Sequence, residues 1–315
     1  MIRLIELFAG VGTQYYAFSQ YEEIKSIGIS EIDNKPLKAY KELFGEPNNF
    51  GDITKIKTLP ESDIWTYSFP CTDLSIGGRQ EGFKGKNSSL IYEVYRLLLT
   101  SPKPKVLLME NVSNIANKKF MPSFQEWINS LNKLGYKSFW KKMKACDYGG
   151  GTVRDRIFMV SILNCEKDFI FPNEQKTTKT VRDYLEPALP QFKVDEYFFY
   201  NCEKSFSKTI KIKDYKNGGQ GNRIYSIDGQ GITLTATGGG KGGSSGLYLR
   251  DEGVYKLSGL EMAKIMGWPR ELGEKMCSVL TDREMGFCMG NAIDVKVLSL
   301  LAKEIIEQIF VEKSH

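Results

Sequence analysis

The N-terminal half of the chain constrains the fold most, because short apolar runs alternate there with helical patterns. RLIELF (3–8) reads as a strand, followed by a glycine turn and a helix through residues 15–21. SIGIS (26–30), DIWTYSF (63–69), KVLLME (105–110) and RIFMVSIL (156–163) read as further strands, with helices expected near residues 35–44 and 90–99. Runs apolar at nearly every position, alternating with helices, imply a doubly wound, mostly parallel α/β sheet covered on both faces. The pattern changes after about residue 165. RIYSI (223–227) and ITLTA (232–236) are strand-like, and the surrounding residues 218–246 hold eleven of the chain's 30 glycines, so a small β-rich domain with two flexible glycine loops is expected. VLSLLAKEIIEQIF (297–310) has helical spacing and should return to the first domain. The expected division is 1–180 with 278–315 as one domain and 181–277 as the other.

Cysteine and histidine usage narrows the chemistry. The chain has 6 cysteines and 1 histidine, His315, at the last position. The cysteines are dispersed with no CxxC pair, which argues against a zinc site, and no metal is expected. Free thiols and a cytoplasmic location follow, since no signal peptide and no membrane-length apolar run is evident. Cys71, in SFPCTDLSIGG (68–78), has a context that asks for more than burial, yet the usual imidazole activator is missing. The net charge of +5 is mild. Lys204, Lys208, Lys211, Lys213, Lys216 and Arg223 cluster beside the glycine-rich stretch; alone, the cluster reads as a solvated face, although a phosphate backbone needs the same chemistry.

LFAGVGT (7–13) follows a strand and opens a helix, where α/β folds bind nucleotides. Gly10 and Gly12 are present, but Tyr15 stands at the third glycine position of the dinucleotide fingerprint, which counts against a nicotinamide-dependent oxidoreductase. A cofactor without phosphates, such as S-adenosylmethionine, needs less glycine. Glu31, ending the second strand, has the spacing of a ribose-gripping acid, and Asp52 is suited to accept from an adenine amine. Either carboxylate alone would read as a helix cap or surface charge; successive strand ends together favour adenosyl binding.

FAGVG (8–12), PCTDLS (70–75), MENV (109–112), TVRDR (152–156), LEMAKIMGWP (260–269) and GNAI (290–293) occur in an order and spacing that resembles the DNA cytosine-5 methyltransferases, over nearly the whole chain. GGQGNRIYSIDGQGITLTATGGG (218–240) is similar to the recognition loops of the bacterial Hha-type enzymes, which methylate within GCGC. The resemblance implies that a Cys71 thiolate adds to C6 of cytosine, that Glu110 hydrogen-bonds N3 and the exocyclic amine, and that Arg154 and Arg156 favour the thiolate and hold the base. It implies an S-adenosylmethionine site from Phe8, Gly10, Gly12, Glu31, Ile32, Asp52, Ile53, Pro70, Leu90 and Asn291. The target base must be rotated out of the duplex. IGGRQEGFKGK (76–86) resembles the loop that closes over it, Gln220 matches the residue that fills the vacated space, and Arg223 suits a guanine edge. Gly78, Arg79, Thr233, Gly239 and Gly240 complete the implied contacts to double-stranded DNA. Thr72, Thr152 and Leu260 depart from the family pattern, which usually has Gln, Gln and Arg there, but none removes a reacting atom. A monomer acting on a short GC-containing site is expected, with or without a cognate restriction endonuclease. The competing readings are methylation of tRNA by the same chemistry and a DNA-binding homologue without turnover.

Overall fold

The computed structural model describes residues 1–70, 88–194, 204–205, 210–214, 220–251 and 253–311. Four apolar runs form parallel strands, β1 (Ile2–Leu7), β2 (Ile24–Ser30), β3 (Ile64–Tyr67) and β4 (Val106–Val112). Their side chains alternate between two cores. Leu4, Ile64, Val106 and Leu108 face α1 (Thr13–Phe18) and α8 (Val295–Ile305). Ile5, Leu7, Trp65, Tyr67, Leu107 and Met109 face α3 (Ile91–Thr100) and α4 (Met121–Lys133). Both faces are buried, which explains why these strands carry almost no polar alternation.

β5 (Tyr136–Lys144) and β6 (Asp155–Leu163) extend the sheet to the order β2-β1-β3-β4-β6-β5, with β6 antiparallel to both its neighbours. The chain leaves β1 toward β2 and later crosses to β3 on its other side. That reversal is where open α/β sheets bind ligands. α2 (Asn34–Phe44) follows β2.

The second sheet has the order β11-β10-β9-β8-β7 among the described residues, formed by β7 (Lys204–Ser205), β8 (Ile210–Asp214), β9 (Arg223–Ser226), β10 (Leu247–Arg250) and β11 (Gly253–Tyr255). RIYSI therefore supplies a strand. ITLTA does not: residues 232–235 are irregular backbone, held instead by packing on a helix end. A Cβ on Gly290 would lie 2.2 Å from the Ala236 nitrogen, so this segment rests directly on backbone. The glycine loops also differ from expectation, because they pack on one another. The Gly242 amide donates to the Gly221 carbonyl (2.7 Å), and a Cβ on Gly238 would strike the Gly243 backbone at 2.0 Å.

α5 (Gly259–Ile265), α6 (Arg270–Val279) and α7 (Asp282–Asn291) share a core with Val11 and Ala39 of the first unit. Reciprocal capping pairs, Ser258 with Glu261 and Thr281 with Glu284, start α5 and α7. The stretch Asp282–Phe310 is apolar and long enough to cross a membrane by composition, but it is mostly buried and two helices share it, as in a core element of the α/β fold. α8 packs on α1, as its spacing predicts.

Candidate active site

The chain turns sharply after β1. Phe8, Gly10 and Gly12 have φ of 60°, 58° and 82°, a left-handed region that glycine tolerates best. Gly12 is the residue preceding α1, and a Cβ there would lie 2.6–2.8 Å from the rings of Phe44 and Tyr40. A Cβ on Gly10 would meet nothing within 4 Å, so the space above the turn is open. Gly12→Ala should therefore destabilise the protein by about 1–3 kcal/mol, from the strained φ and the ring clash together, whereas Gly10→Ala carries only the strain. Denaturant midpoints of the two variants would show the difference.

Glu31 closes one side of this space. Its Oε2 accepts from the Gly10 amide and its Oε1 from the Ile32 and Asp33 amides, all at 2.8 Å. Burial pushes its pKa up against those bonds. Beside it Ile32 leaves an apolar side chain 73% exposed. Asp52 Oδ1 accepts from the Thr54 amide (3.0 Å) and hydroxyl (2.8 Å), which holds its pKa below the usual range. Ile53 is buried, and its carbonyl accepts from Arg96 Nη2 at 3.0 Å. Asn49, absent from the sequence-derived set, joins these arms. Its Oδ1 accepts from the Glu31 and Gly51 amides at 3.1 and 3.0 Å, and its Nδ2 donates to the Glu31 carbonyl at 2.9 Å.

Beneath the turn lies Glu6, fully buried within an otherwise apolar strand. Its Oε1 accepts from Tyr40 (2.8 Å) and Ser26 (3.2 Å), and its Oε2 from the Tyr15 amide (2.9 Å). Burial pushes its pKa up to about 7, from a reference of 4.5. The native state thus holds a proton that the unfolded chain has released between those values, and stability should rise as pH falls from about 7.5 to 5. The contribution is on the order of 3 kcal/mol. Asp294, pushed up to about 6 by burial, acts in the same direction. Urea titrations across this range should give that slope, and Glu6→Gln should flatten it.

At the ends of β3 and β4, Glu110 is buried, and its Oε1 lies 3.1 Å from Arg156 Nε. Val112 of β4 is paired with Arg156 across the sheet, which sets the two side chains on one face. Arg156 Nη1 also donates to the Asp155 carbonyl (2.8 Å). The buried Asn111 donates from Nδ2 to the Phe69 carbonyl (3.1 Å), tying the backbone just before Pro70 to the strand that carries Glu110. Pro70 is exposed and Leu90 is half-buried before α3. Cys71, Thr72, Gly78, Arg79 and the 76–86 loop lie outside the described residues, as do the side chains of Lys204–Lys216.

Arg154 stands apart from the Glu110–Arg156 pair. Its buried guanidinium donates to the carbonyls of Leu234 (3.1 Å) and Gly290 (3.0 Å). Next to it Thr152 is fully buried and bridged to Gly231, whose carbonyl accepts from the Val153 amide (2.8 Å). Asn291, at the exposed end of α7, follows Gly290 directly. Gln220 Nε2 donates to the Thr233 carbonyl at 2.6 Å, so two residues expected at the DNA meet each other. Arg223 is exposed at the start of β9. Gly239 and Gly240 lie on the exposed rim of the packed glycine loops, where Gly240 has φ 77° and faces Asn222.

A glycine turn at the switch point of a mostly parallel sheet, with Glu31 closing the next strand and Asp52 capping the short turn beyond it, gives an α/β fold of the S-adenosylmethionine-dependent methyltransferase type. The chain belongs to the C-5 cytosine-specific DNA methylase family, whose model it matches over residues 2–307. It is 32% identical to the type II methyltransferase M.HhaI of Haemophilus parahaemolyticus, over 96% of this chain and 94% of that protein. It is 30% identical to the orphan methyltransferase M.SssI of Spiroplasma monobiae, over 84% and 71% of the two chains. Among solved structures, an Entamoeba histolytica methyltransferase, EhMeth, superposes with a TM-score of 0.77 at 18% identity, covering 99% of both chains. The S. pombe Dnmt2 methyltransferase gives 0.74 at 19% identity, covering 99% of this chain and all of that one. At those identities the structures speak for the fold alone.

Proposed function

We propose that this enzyme transfers a methyl group from S-adenosylmethionine to C5 of a cytosine rotated out of a short duplex DNA site. The carrying observation is the convergence of the open glycine turn, the Glu31 arm and the buried Glu110–Arg156 pair on one edge of the sheet. The turn fits the donor, because Gly10 faces free space and Ile32 offers an uncovered apolar surface beside it. Phe8, Gly10, Gly12, Glu31, Ile32, Asp52, Ile53, Pro70, Leu90 and Asn291 would hold the donor, which supplies an electrophilic methyl group on a sulfonium.

The Cys71 thiolate adds to C6, forming a C–S bond and moving the C5–C6 electron pair onto C5. Glu110 holds N3 and the exocyclic amine, and Arg156 orients Glu110 through the ion pair. Once C5 carries the methyl group, the donor having given up its sulfur–methyl bond and departed as a neutral thioether, the C5 proton leaves to a base and the bond to Cys71 breaks, which restores the ring and frees the thiolate. Arg154 acts as a positioning residue, holding the 232–236 segment over α7. Residues 1–180 with 278–315 carry the chemistry, and residues 181–277, with Gln220, Arg223, Thr233, Gly239 and Gly240, read the site; α6, whose last residues reach past 277, packs on α2 and joins the two.

Incubation with tritiated S-adenosylmethionine and either duplex DNA or tRNA tests the reading. Label in DNA, together with a stable protein adduct on 5-fluorocytosine DNA, is the expected result; label in tRNA alone would overturn it. Bisulfite sequencing of the product gives the site, for which a GC-containing motif is expected. Sedimentation of the DNA complex should show one protein per site.

A further inference from the structure

The edge strand β5 carries a basic run that neither the core nor the chemistry uses. Its sequence is YKSFWKKMK, and it ends the sheet, with β6 as its one neighbour among the described residues. β5 runs parallel to β4, so its C-terminal end emerges on the same edge as Glu110. Register fixes the rows. Lys142 pairs with Ile157, which pairs with Asn111, so Lys142 lies two strands, about 10 Å, from the motif that carries Glu110. Lys144 lies one step further toward that edge, opposite Asp155.

Alternation gives the face. Trp140, 39% exposed, sets its ring against Phe124 of α4 at 5.6 Å, and Lys142 and Lys144 share its side of the strand. Neither lysine makes an ion pair among the described residues, not even with Asp155. By contrast Lys137, at the far end of the same strand, is paired with Asp168 at 2.6 Å. The lysines at the catalytic edge are thus the unpaired ones.

We propose that Lys142 and Lys144 contact the phosphate backbone of duplex DNA outside the recognised site, steadying the duplex while the target base is held at Glu110. The inference rests on the DNA-methylating reading above. Charge complementarity and continuity with the catalytic edge favour a polyanion as occupant. The competing role for edge lysines is to block strand pairing between copies.

The test uses the full chain, the double variant Lys142→Gln/Lys144→Gln, and two duplexes: one just covering the methylated site and one extended by a helical turn on each side. Binding is measured against salt, with sedimentation of each protein alone. Each lost phosphate contact lowers the slope of log affinity against log salt by about 0.9. The expected result is a slope reduced by about 1–2 on the long duplex, little change on the short one, and the same maximal rate at saturating DNA. Equal slopes for the two proteins on the long duplex overturn the proposal, as does a variant whose only change is self-association. A wild-type protein that binds no duplex would instead overturn the underlying reading.

Discussion

Cys71→Ser is expected to lower methyl transfer to duplex DNA by about 10,000-fold or more, while affinity for the duplex is retained. The reason is electronic. C5 of cytosine is a poor nucleophile until C6 is saturated, and a serine hydroxyl is almost wholly protonated at neutral pH. With no histidine among residues 1–314, no imidazole is present in the body of the chain to remove that proton. Glu110 is already engaged with Arg156. Single-turnover transfer of tritiated methyl, with a gel test for adduct on 5-fluorocytosine DNA, reads both effects. A serine variant that methylates at the wild-type rate would refute covalent catalysis by this residue.

The second large effect is on architecture. Arg154→Ala removes both donors that hold the Leu234 and Gly290 carbonyls and leaves those carbonyls buried. A loss of about 2–4 kcal/mol is expected, on the order of two unsatisfied buried groups. Among the described residues the 232–236 segment has no strand partner, and its bonds from Thr235 to the Ser244 carbonyl and from Gln220 to the Thr233 carbonyl stay within the smaller unit, so its link to α7 should loosen before the sheet does. Arg154→Lys can restore one of the two bonds and should recover part of the stability. A positioning role also predicts that the Michaelis constant for DNA rises more than that for S-adenosylmethionine in the lysine variant. An unchanged denaturation midpoint in the alanine variant would count against the assignment.

The strands most legible from sequence were those whose burial leaves no room for polar residues. VLLMENV is the clearest, apolar as far as the residues that reach the site. β5 was missed for the opposite reason: an edge strand exposes alternate positions, and its lysines mask the pattern. ITLTA misled because β-branched residues suit strands, whereas here Ile232 and Leu234 are buried in the core of α5–α7 and the backbone of Thr235 and Ala236 rests on Gly290. Glu31 was legible at the site because it closes a strand; Asp52 was also found, although the residues before it form no strand and it caps the short turn Ile53–Lys55 instead. Asn49 and Asn111 were not, since an amide that joins two carbonyls or amides leaves no spacing signal. Glu6 does leave one, a lone acid in a run of apolar residues, and the structure shows what it is for: it supports the turn by accepting from the Tyr15 amide.

The glycine loops of the smaller sheet have a bearing on engineering. A Cβ on Gly221 would be 1.6 Å from the Gly239 carbonyl oxygen, and the two loops share a further bond from Lys241 to Asn222. Each loop is shaped in part by the other. Exchanging one of them with a relative to retarget the enzyme would leave the incoming backbone facing a mismatched mate. A graft of 220–246 in one piece keeps both halves of that contact, so altered target preference should be transferable as a cassette and not as separate loops.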